Sequence, residues 1–343
     1  MNIKKLILPI LLIAFGCKGI YEFDTDMYKR KIVVESLINP DSVIKVTVAW
    51  NRPTNATYIR SVHTPPIEYI NGALVQIEEN GILILSGTTV NGVLFSDVYP
   101  VAGKRYRLTV KVESEIELTA ATSIPFPADI SYSIRKKYDN RCLCSYIGIF
   151  DECIEITPFY ELSYIAVDVN DIVLPPEVQA VWITGYAKFD NDTFPYIGGD
   201  LYSNSPYIDQ FNVAGEDMDV LLRESNILYE RGVIRIQRQA ISLALPFTFS
   251  KGVSGARRNE WDEEYGEWKY FYNDGRFLLH ITSPSNEYDR YRRSAIKQSL
   301  IWGWLFSSDP VSVFSNINNG VGIFAGYNTT VVAAPIKYNS NTK

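Results

Sequence analysis

The regular alternation of apolar and polar residues is the feature that most restricts what this chain can fold into. It is clearest in residues 105–112, where Tyr106, Leu108, Val110 and Val112 alternate with charged or hydroxyl side chains. Successive side chains of a β-strand point to opposite faces, so this segment is predicted to be a half-buried strand.

The same pattern recurs at short intervals along the first third of the chain. Further strands are predicted at 32–37, 44–48, 73–78, 82–85 and 117–124, and Asn80-Gly81 predicts a tight hairpin turn between two of them. About seven short strands in roughly 95 residues are typical of an immunoglobulin-like β-sandwich, which we assign to residues 31–127. Pro125 and Pro127 mark its predicted boundary.

Residues 128–343 are predicted to form a larger β-rich C-terminal domain with one or two helices. Strands are expected at 163–169, 180–189, 233–236, 240–249, 268–272 and 277–282. Asn273-Asp274-Gly275 predicts a hairpin that joins the last two of these strands. Ser285 is expected to cap a helix that ends at Gly303, and a shorter helix is expected at 217–229.

The glycines and asparagines of residues 315–327 have a structural interpretation. Such residues at this density usually serve tight turns with positive φ. We therefore predict a corner that locks the last strand against the sheet, and a ligand-binding loop is the alternative.

The N-terminus predicts export and lipid attachment. Two lysines precede the apolar run Leu6–Phe15, which is shorter than the ~20 residues that cross a membrane. Gly16 and Cys17 follow, so residues 1–16 are predicted to be a lipoprotein signal peptide that is cleaved before an acylated Cys17, with palmitate among its acyl chains. An ordinary signal peptide with an incidental cysteine is the alternative. The polar and acidic residues 17–30 are predicted to be a lipidated tether.

Composition narrows the possible classes of function. The chain has a net charge of −6, which argues against binding nucleic acid. Its two histidines, His63 and His280, are far apart in sequence, whereas most zinc sites and Ser-His triads need histidine. The sequence also lacks a nucleophile elbow and a phosphate loop. We therefore predict a protein that is not an enzyme and that uses no cofactor and no metal.

Three cysteines, Cys142, Cys144 and Cys153, form a cluster. The default chemistry of cysteines in an exported protein is a disulfide. Cys142 and Cys144 are too close for a bridge to each other in an extended chain, so Cys153 is predicted to pair with one of them, worth ~2–3 kcal/mol. A three-thiolate metal site is the alternative, and it would need a fourth ligand.

Two polar stretches, residues 190–215 and 251–266, are dense in Tyr, Trp and Asn and are predicted to be long loops. Loops on a rigid β scaffold often carry recognition, and Tyr and Trp are common anchors of interfaces. The residues predicted to bind a partner are Tyr196, Tyr202, Tyr207, Trp261 and Trp268. Core packing of each aromatic residue is the alternative.

Several segments, taken in order, resemble a known family. They are the lipoprotein signal, Lys31–Leu37, Asn71–Val75, Gly103–Leu108, Ile124-Pro125, Glu287–Tyr291, Pro310–Ile317 and Asn319–Tyr327. Together they resemble the Bacteroidota outer-membrane lipoproteins labelled domain of unknown function 4249. The resemblance implies a lipid-anchored protein on the outer membrane that faces the cell surface. It also implies a partner, an outer-membrane β-barrel of the TonB-dependent receptor type.

Two classes of function remain open. The first is a non-catalytic lipoprotein that acts as an accessory or binding subunit of an outer-membrane β-barrel complex. The second is a secreted surface hydrolase that acts on glycans or peptides. Scarce histidine, the lack of nucleophile motifs and the immunoglobulin-like architecture favour the first class.

Overall fold

The structure is a computed structural model that describes twelve ranges of the chain. These are residues 30–51, 67–113, 116–143, 156–189, 196–197, 200–202, 227–230, 233–252, 257–262, 267–272, 275–302 and 313–336. Strands dominate these ranges, and helices are few. This confirms the predicted fold class, mainly β with an N-terminal sandwich. None of the described helices is long and apolar enough to span a bilayer.

The first part of the chain forms a β-sandwich. Its strands are β1 (Ile32–Ile38), β2 (Lys45–Trp50), β3 (Leu74–Glu79), β4 (Ile82–Thr88), β5 (Val93–Phe95), β6 (Arg105–Val112) and β7 (Ile116–Ser123). One sheet contains β1, β2 and β5, and the other has the order β4-β3-β6-β7. Alternate residues of both sheets, such as Val34, Val75 and Leu108, fill one core. Asn80 and Gly81 join β3 to β4 with φ of 49° and 84°, which confirms the predicted hairpin turn.

The remaining elements build a second layered unit. They are β8 (Asp129–Leu143), β9 (Ile156–Val173), β10 (Ala180–Phe189), β11 (Tyr196–Ile197), β12 (Asp200–Tyr202), β13 (Ile227–Glu230), β14 (Val233–Gln237), a 3₁₀ turn (Arg238–Ala240), α1 (Ile241–Ala244), β15 (Phe247–Gly252), β16 (Arg257–Asp262), β17 (Glu267–Tyr272), β18 (Gly275–Pro284), α2 (Asn286–Trp302) and β19 (Val321–Ile336). A sheet of order β12-β15-β9-β8 and the strands β13-β14-β10-β18-β19 enclose a second apolar core.

Strand β19 belongs to both units. Its first half runs parallel to β1, from Val33 opposite Val321 to Ile38 opposite Gly326. Its second half runs antiparallel to β18. One continuous sheet therefore extends from β13 to β5, and Phe324 is buried in the core of the first sandwich.

The segment that leads into β19 is held by its asparagines. The side chain of Asn316 donates to the carbonyl oxygens of Ala121 (3.2 Å) and Phe324 (2.7 Å) and accepts from the Phe324 amide (2.9 Å). Asn319 has a φ of 62°, and its side chain donates to the Glu117 carbonyl. These contacts confirm the predicted structural corner, and they cover the outer edge of β7.

Three local predictions are wrong or partly wrong. Residues 240–249 are not one strand, because α1 precedes β15, and a short apolar run cannot be assigned to helix or strand by periodicity. The predicted hairpin between 268–272 and 277–282 does not form: β17 pairs with β16, whereas β18 pairs with β10 and β19. Residues 227–229 belong to β13 instead of ending a helix, and residues 217–226 lie outside the described ranges.

Candidate functional site

A cleft of about 530 Å³ opens on the outer face of the sheet β4-β3-β6-β7. It lies on the face opposite the core, because the lining residues Arg105 and Arg107 alternate with the buried residues Tyr106 and Leu108. The lining residues are Glu78, Asn80, Gly81, Arg105, Tyr106, Arg107, Ala121, Thr122, Ser123 and Glu287.

Two arginines and two glutamates, Glu78 and Glu287, carry the charges of the cleft. Arg107 lies opposite Glu78 on β3, and Arg105 lies two residues away on the same face of β6. Both are exposed, and neither forms an ion pair with a carboxylate in the described ranges. Lys111 on the same strand differs, because its Nζ lies 3.3 Å from Oε2 of Glu117. Guanidinium groups bind carboxylates and phosphates with two parallel hydrogen bonds, so the cleft can accept an anionic group.

The start of α2 forms one wall of the cleft. The Tyr288 amide donates to Oγ of Ser285 (3.2 Å), which confirms the predicted helix cap. Glu287 follows in the first turn, and Oγ1 of Thr122 donates to its Oε2 (3.1 Å). The same Thr122 hydroxyl accepts from the Gly326 amide (3.0 Å). A single threonine of β7 therefore connects the helix, β19 and the cleft.

A buried ion pair fixes the helix from its other side. Nε of Arg235 donates to Oδ1 of Asp289 (2.6 Å), and a second guanidinium nitrogen donates to Oδ2 (2.7 Å). Nε1 of Trp182 also donates to Asp289 (2.8 Å), and the Arg292 guanidinium stacks on the Trp182 ring. These contacts join α2 to β10 and β14, so the wall that carries Glu287 is held by both units of the molecule.

The surroundings of Tyr106 and His280 determine the protonation state of each side chain. The Tyr106 hydroxyl donates to Oε2 of Glu79 (2.6 Å), and burial and this hydrogen bond raise the pKa of Tyr106 well above its usual range. His280 packs against Tyr186 with ring centroids 4.7 Å apart, and burial lowers the pKa of His280. Tyr106 therefore stays protonated and His280 stays neutral at neutral pH, and His280 does not line the cleft.

The structure brings only some of the predicted aromatic residues together. Trp261 lies directly opposite Trp268 across β16 and β17, a ribbon that pairs with no other strand of the described ranges. Tyr196 lies in β11 and Tyr202 in β12, which belong to two different sheets. Tyr207 lies outside the described residues.

The two predicted loops are therefore partly strand. Residues 196–197 and 200–202 of the first stretch form strands, as do residues 251–252 and 257–262 of the second. Their Tyr and Trp residues suit strands as well as loops, which is why composition alone did not separate the two.

The predicted cysteine chemistry stays a prediction. Cys142 lies near the end of β8, while Cys17, Cys144 and Cys153 lie outside the described residues. Within the described ranges, no group of three His, Cys, Asp or Glu side chains could hold a metal ion.

Sequence reasoning did not select the residues of the cleft. Arg105 and Arg107 were visible as the polar face of the clearest strand, and two cations without a nearby acidic partner on that strand were the available signal. Glu287 gave no such signal, because only the fold brings it to Thr122, which is 165 residues away in sequence.

Comparison with known proteins identifies a family. A family model described as a domain of unknown function, DUF4249, matches residues 20–332. No curated protein and no solved structure matches the chain. The matched range covers most of the chain, including the cleft and most of β19, so the chain belongs to the family defined by DUF4249.

Proposed function

We propose that this protein is a lipid-anchored outer-membrane protein that acts as a non-catalytic binding or accessory subunit of a β-barrel complex of the TonB-dependent receptor type. The observation that carries the proposal is the cleft with Arg105 and Arg107, which form no ion pair with the residues that the structure describes. Its two guanidinium groups are suited to holding an anionic group of a partner. Tyr106 beneath them is held in its protonated form by burial and by Glu79, so it does not act as a base.

The surroundings of the cleft favour recognition. Both arginines project from a central strand, β6, which is paired on both sides. The helix that carries Glu287 is fixed by the buried hydrogen bonds between Arg235 and Asp289. A site held rigidly before binding loses little conformational entropy when the partner arrives. A lipid anchor would also confine the protein near membrane partners and raise its effective concentration there.

Arg105→Gln combined with Arg107→Gln is expected to reduce co-purification of the β-barrel partner at least about tenfold. Each charge-assisted hydrogen bond that is lost contributes ~1.5–3 kcal/mol, and 1.4 kcal/mol corresponds to a factor of ten. The measurement is quantitative mass spectrometry of proteins that co-purify with the full chain from native membranes in mild detergent.

Lys111→Gln is the matched control, because Lys111 lies on the same strand but is paired with Glu117. It should leave co-purification unchanged. Equal recovery of the barrel with the arginine variant would contradict the proposal. A purified protein that turns over a glycan or peptide, and loses that turnover in Glu287→Gln, would support the hydrolase instead.

Cys17→Ala is expected to release the protein from membranes or to leave the uncleaved precursor, because Cys17 is the proposed site of acylation. More than one acyl chain makes anchoring stable, at ~0.8 kcal/mol per buried CH₂. Membrane fractionation and the mass of the N-terminal peptide measure the outcome. A variant that is still acylated in the membrane fraction would show that Cys17 is not the attachment site.

A further inference from the structure

The cleft holds opposite charges on the two sides of a floor of small side chains. Arg105 and Arg107 of β6 lie directly opposite Ser123 and Ala121 of β7, which line the same outer face. Strand β7 is the last strand of its sheet, and Glu287 reaches the cleft from α2, where it contacts β7. Guanidinium groups therefore line one side of this floor, and a carboxylate lines the other.

The carboxylate of Glu287 is only partly engaged. The side chain is half-buried, and its Oε2 accepts from the Thr122 hydroxyl at 3.1 Å. Its Oε1 forms no hydrogen bond or ion pair with the residues that the structure describes. A partly buried carboxylate is stabilised by a cation that reaches it. A purely anionic ligand on the arginines would leave Glu287 without that cation and would repel it, whereas a ligand with both signs of charge would satisfy both sides.

The spacing of the arginines matches that of an extended peptide. Arg105 and Arg107 are two residues apart on β6, which is about 6.6 Å along a strand. In an extended peptide, residues i and i+2 repeat at the same distance on one side, and residue i+1 points to the other side. A segment that lies along the floor can therefore present two side chains to the arginines and the one between them to Glu287.

We propose that the cleft binds an extended segment of the β-barrel partner in which one basic residue stands between two acidic residues. The acidic side chains accept from the guanidinium groups of Arg105 and Arg107, and the basic side chain donates to Glu287. Glu78 lies opposite Arg107 on β3, so β6 separates it from the floor and from the basic residue. The inference rests on the proposed function, because it specifies the anionic group that the partner supplies.

The test measures binding of labelled synthetic peptides to the full chain in detergent by fluorescence anisotropy. The probe has the central sequence Glu-Lys-Glu between glycines, with both ends blocked. The comparison peptide has the same composition in the order Glu-Glu-Lys, which would turn one acidic side chain toward Glu287. The wild type should bind the probe at least about tenfold more tightly, because one charge-assisted hydrogen bond is sufficient for a factor of ten.

Glu287→Gln should abolish the preference for Glu-Lys-Glu, because the amide oxygen can still accept from Thr122 but carries no charge. Glu117→Gln is the matched control. Glu117 is an exposed carboxylate of β7 that is paired with Lys111 and does not line the cleft. This variant should bind both peptides with the affinities of the wild type.

Equal affinity of the wild type for the two peptides, or binding of neither, would overturn the inference. Binding of phosphoethanolamine but of neither peptide would also overturn it and would identify a lipid headgroup as the ligand. A preference that survives in Glu287→Gln would show that Glu287 does not hold the basic residue. Each of these results is distinguishable from failure of the proposed function, because that function is tested separately by whether co-purification of the barrel depends on Arg105 and Arg107.

Discussion

Gly322→Ala should lower the free energy of unfolding by about 3–4 kcal/mol, because the site lacks both space and a permissive backbone conformation. Gly322 has a φ of 118°, a conformation that L-residues rarely adopt. A Cβ atom there would be 2.0 Å from the carbonyl oxygen of Val34. Relieving the clash requires separation of β1 from β19. Urea unfolding, followed by fluorescence, measures the loss.

Gly72→Ala and Gly326→Ala are the matched controls. The first tests the effect of an unfavourable backbone φ alone, and the second tests the effect of a steric clash alone. Gly72 has a φ of 74° with no atom within 4 Å of its Cβ position, so its alanine variant should lose only about 1–2 kcal/mol. At Gly326 the added Cβ would be 2.3 Å from the Ser123 carbonyl oxygen, which isolates the steric effect. Equal losses at Gly72 and Gly322 would contradict the assigned β1–β19 pairing.

Asp289→Asn should cost about 3–5 kcal/mol, because it leaves the Arg235 guanidinium buried without a counter-charge. The side chains of Arg235 and Asp289 are only 5% and 12% exposed. Adding Arg235→Met to this variant should recover part of the loss, since an apolar side chain of similar length needs no counter-charge. The same urea unfolding measurement applies to both variants.

Asp168→Asn makes the same chemical change at the ion pair between Arg135 and Asp168, in which the arginine is exposed. Its partner Arg135 has a side chain that is 58% exposed, so water replaces the lost interaction, and a cost of ~0–1 kcal/mol is expected. Similar losses at Asp168 and Asp289 would show that burial of the arginine does not decide the energy of the pair.

Local patterns in the sequence predicted those elements whose own residues decide their structure. Strand β10 has the predicted bounds, Ala180–Phe189, and the helix cap at Ser285 was also correct. The chemistry of a strand or a cap is contained in a few neighbouring residues, so it can be recognised without knowing the fold.

Pairing partners and buried polar contacts could not be predicted in the same way. Strand β17 precedes a strong turn signal, yet its partner is β16, because β18 is already paired on both sides by β10 and β19. Arg235 and Asp289 are 54 residues apart, and neither is distinguished in the sequence from the other charged residues. The two arginines of the cleft could be anticipated from the polar face of β6, whereas its helical wall required the fold.

The shared strand β19 has a consequence for when the protein can fold. Asn39 bonds to the hydroxyl of Tyr327, 288 residues later, and β1 obtains one of its two neighbouring strands from the same distant segment. During synthesis, the first sandwich therefore lacks β19 beside β1 until nearly the whole chain has emerged from the ribosome. Contacts of such high sequence separation make folding slow. A first half that cannot close early would keep the chain unfolded for longer, which suits the export that we propose.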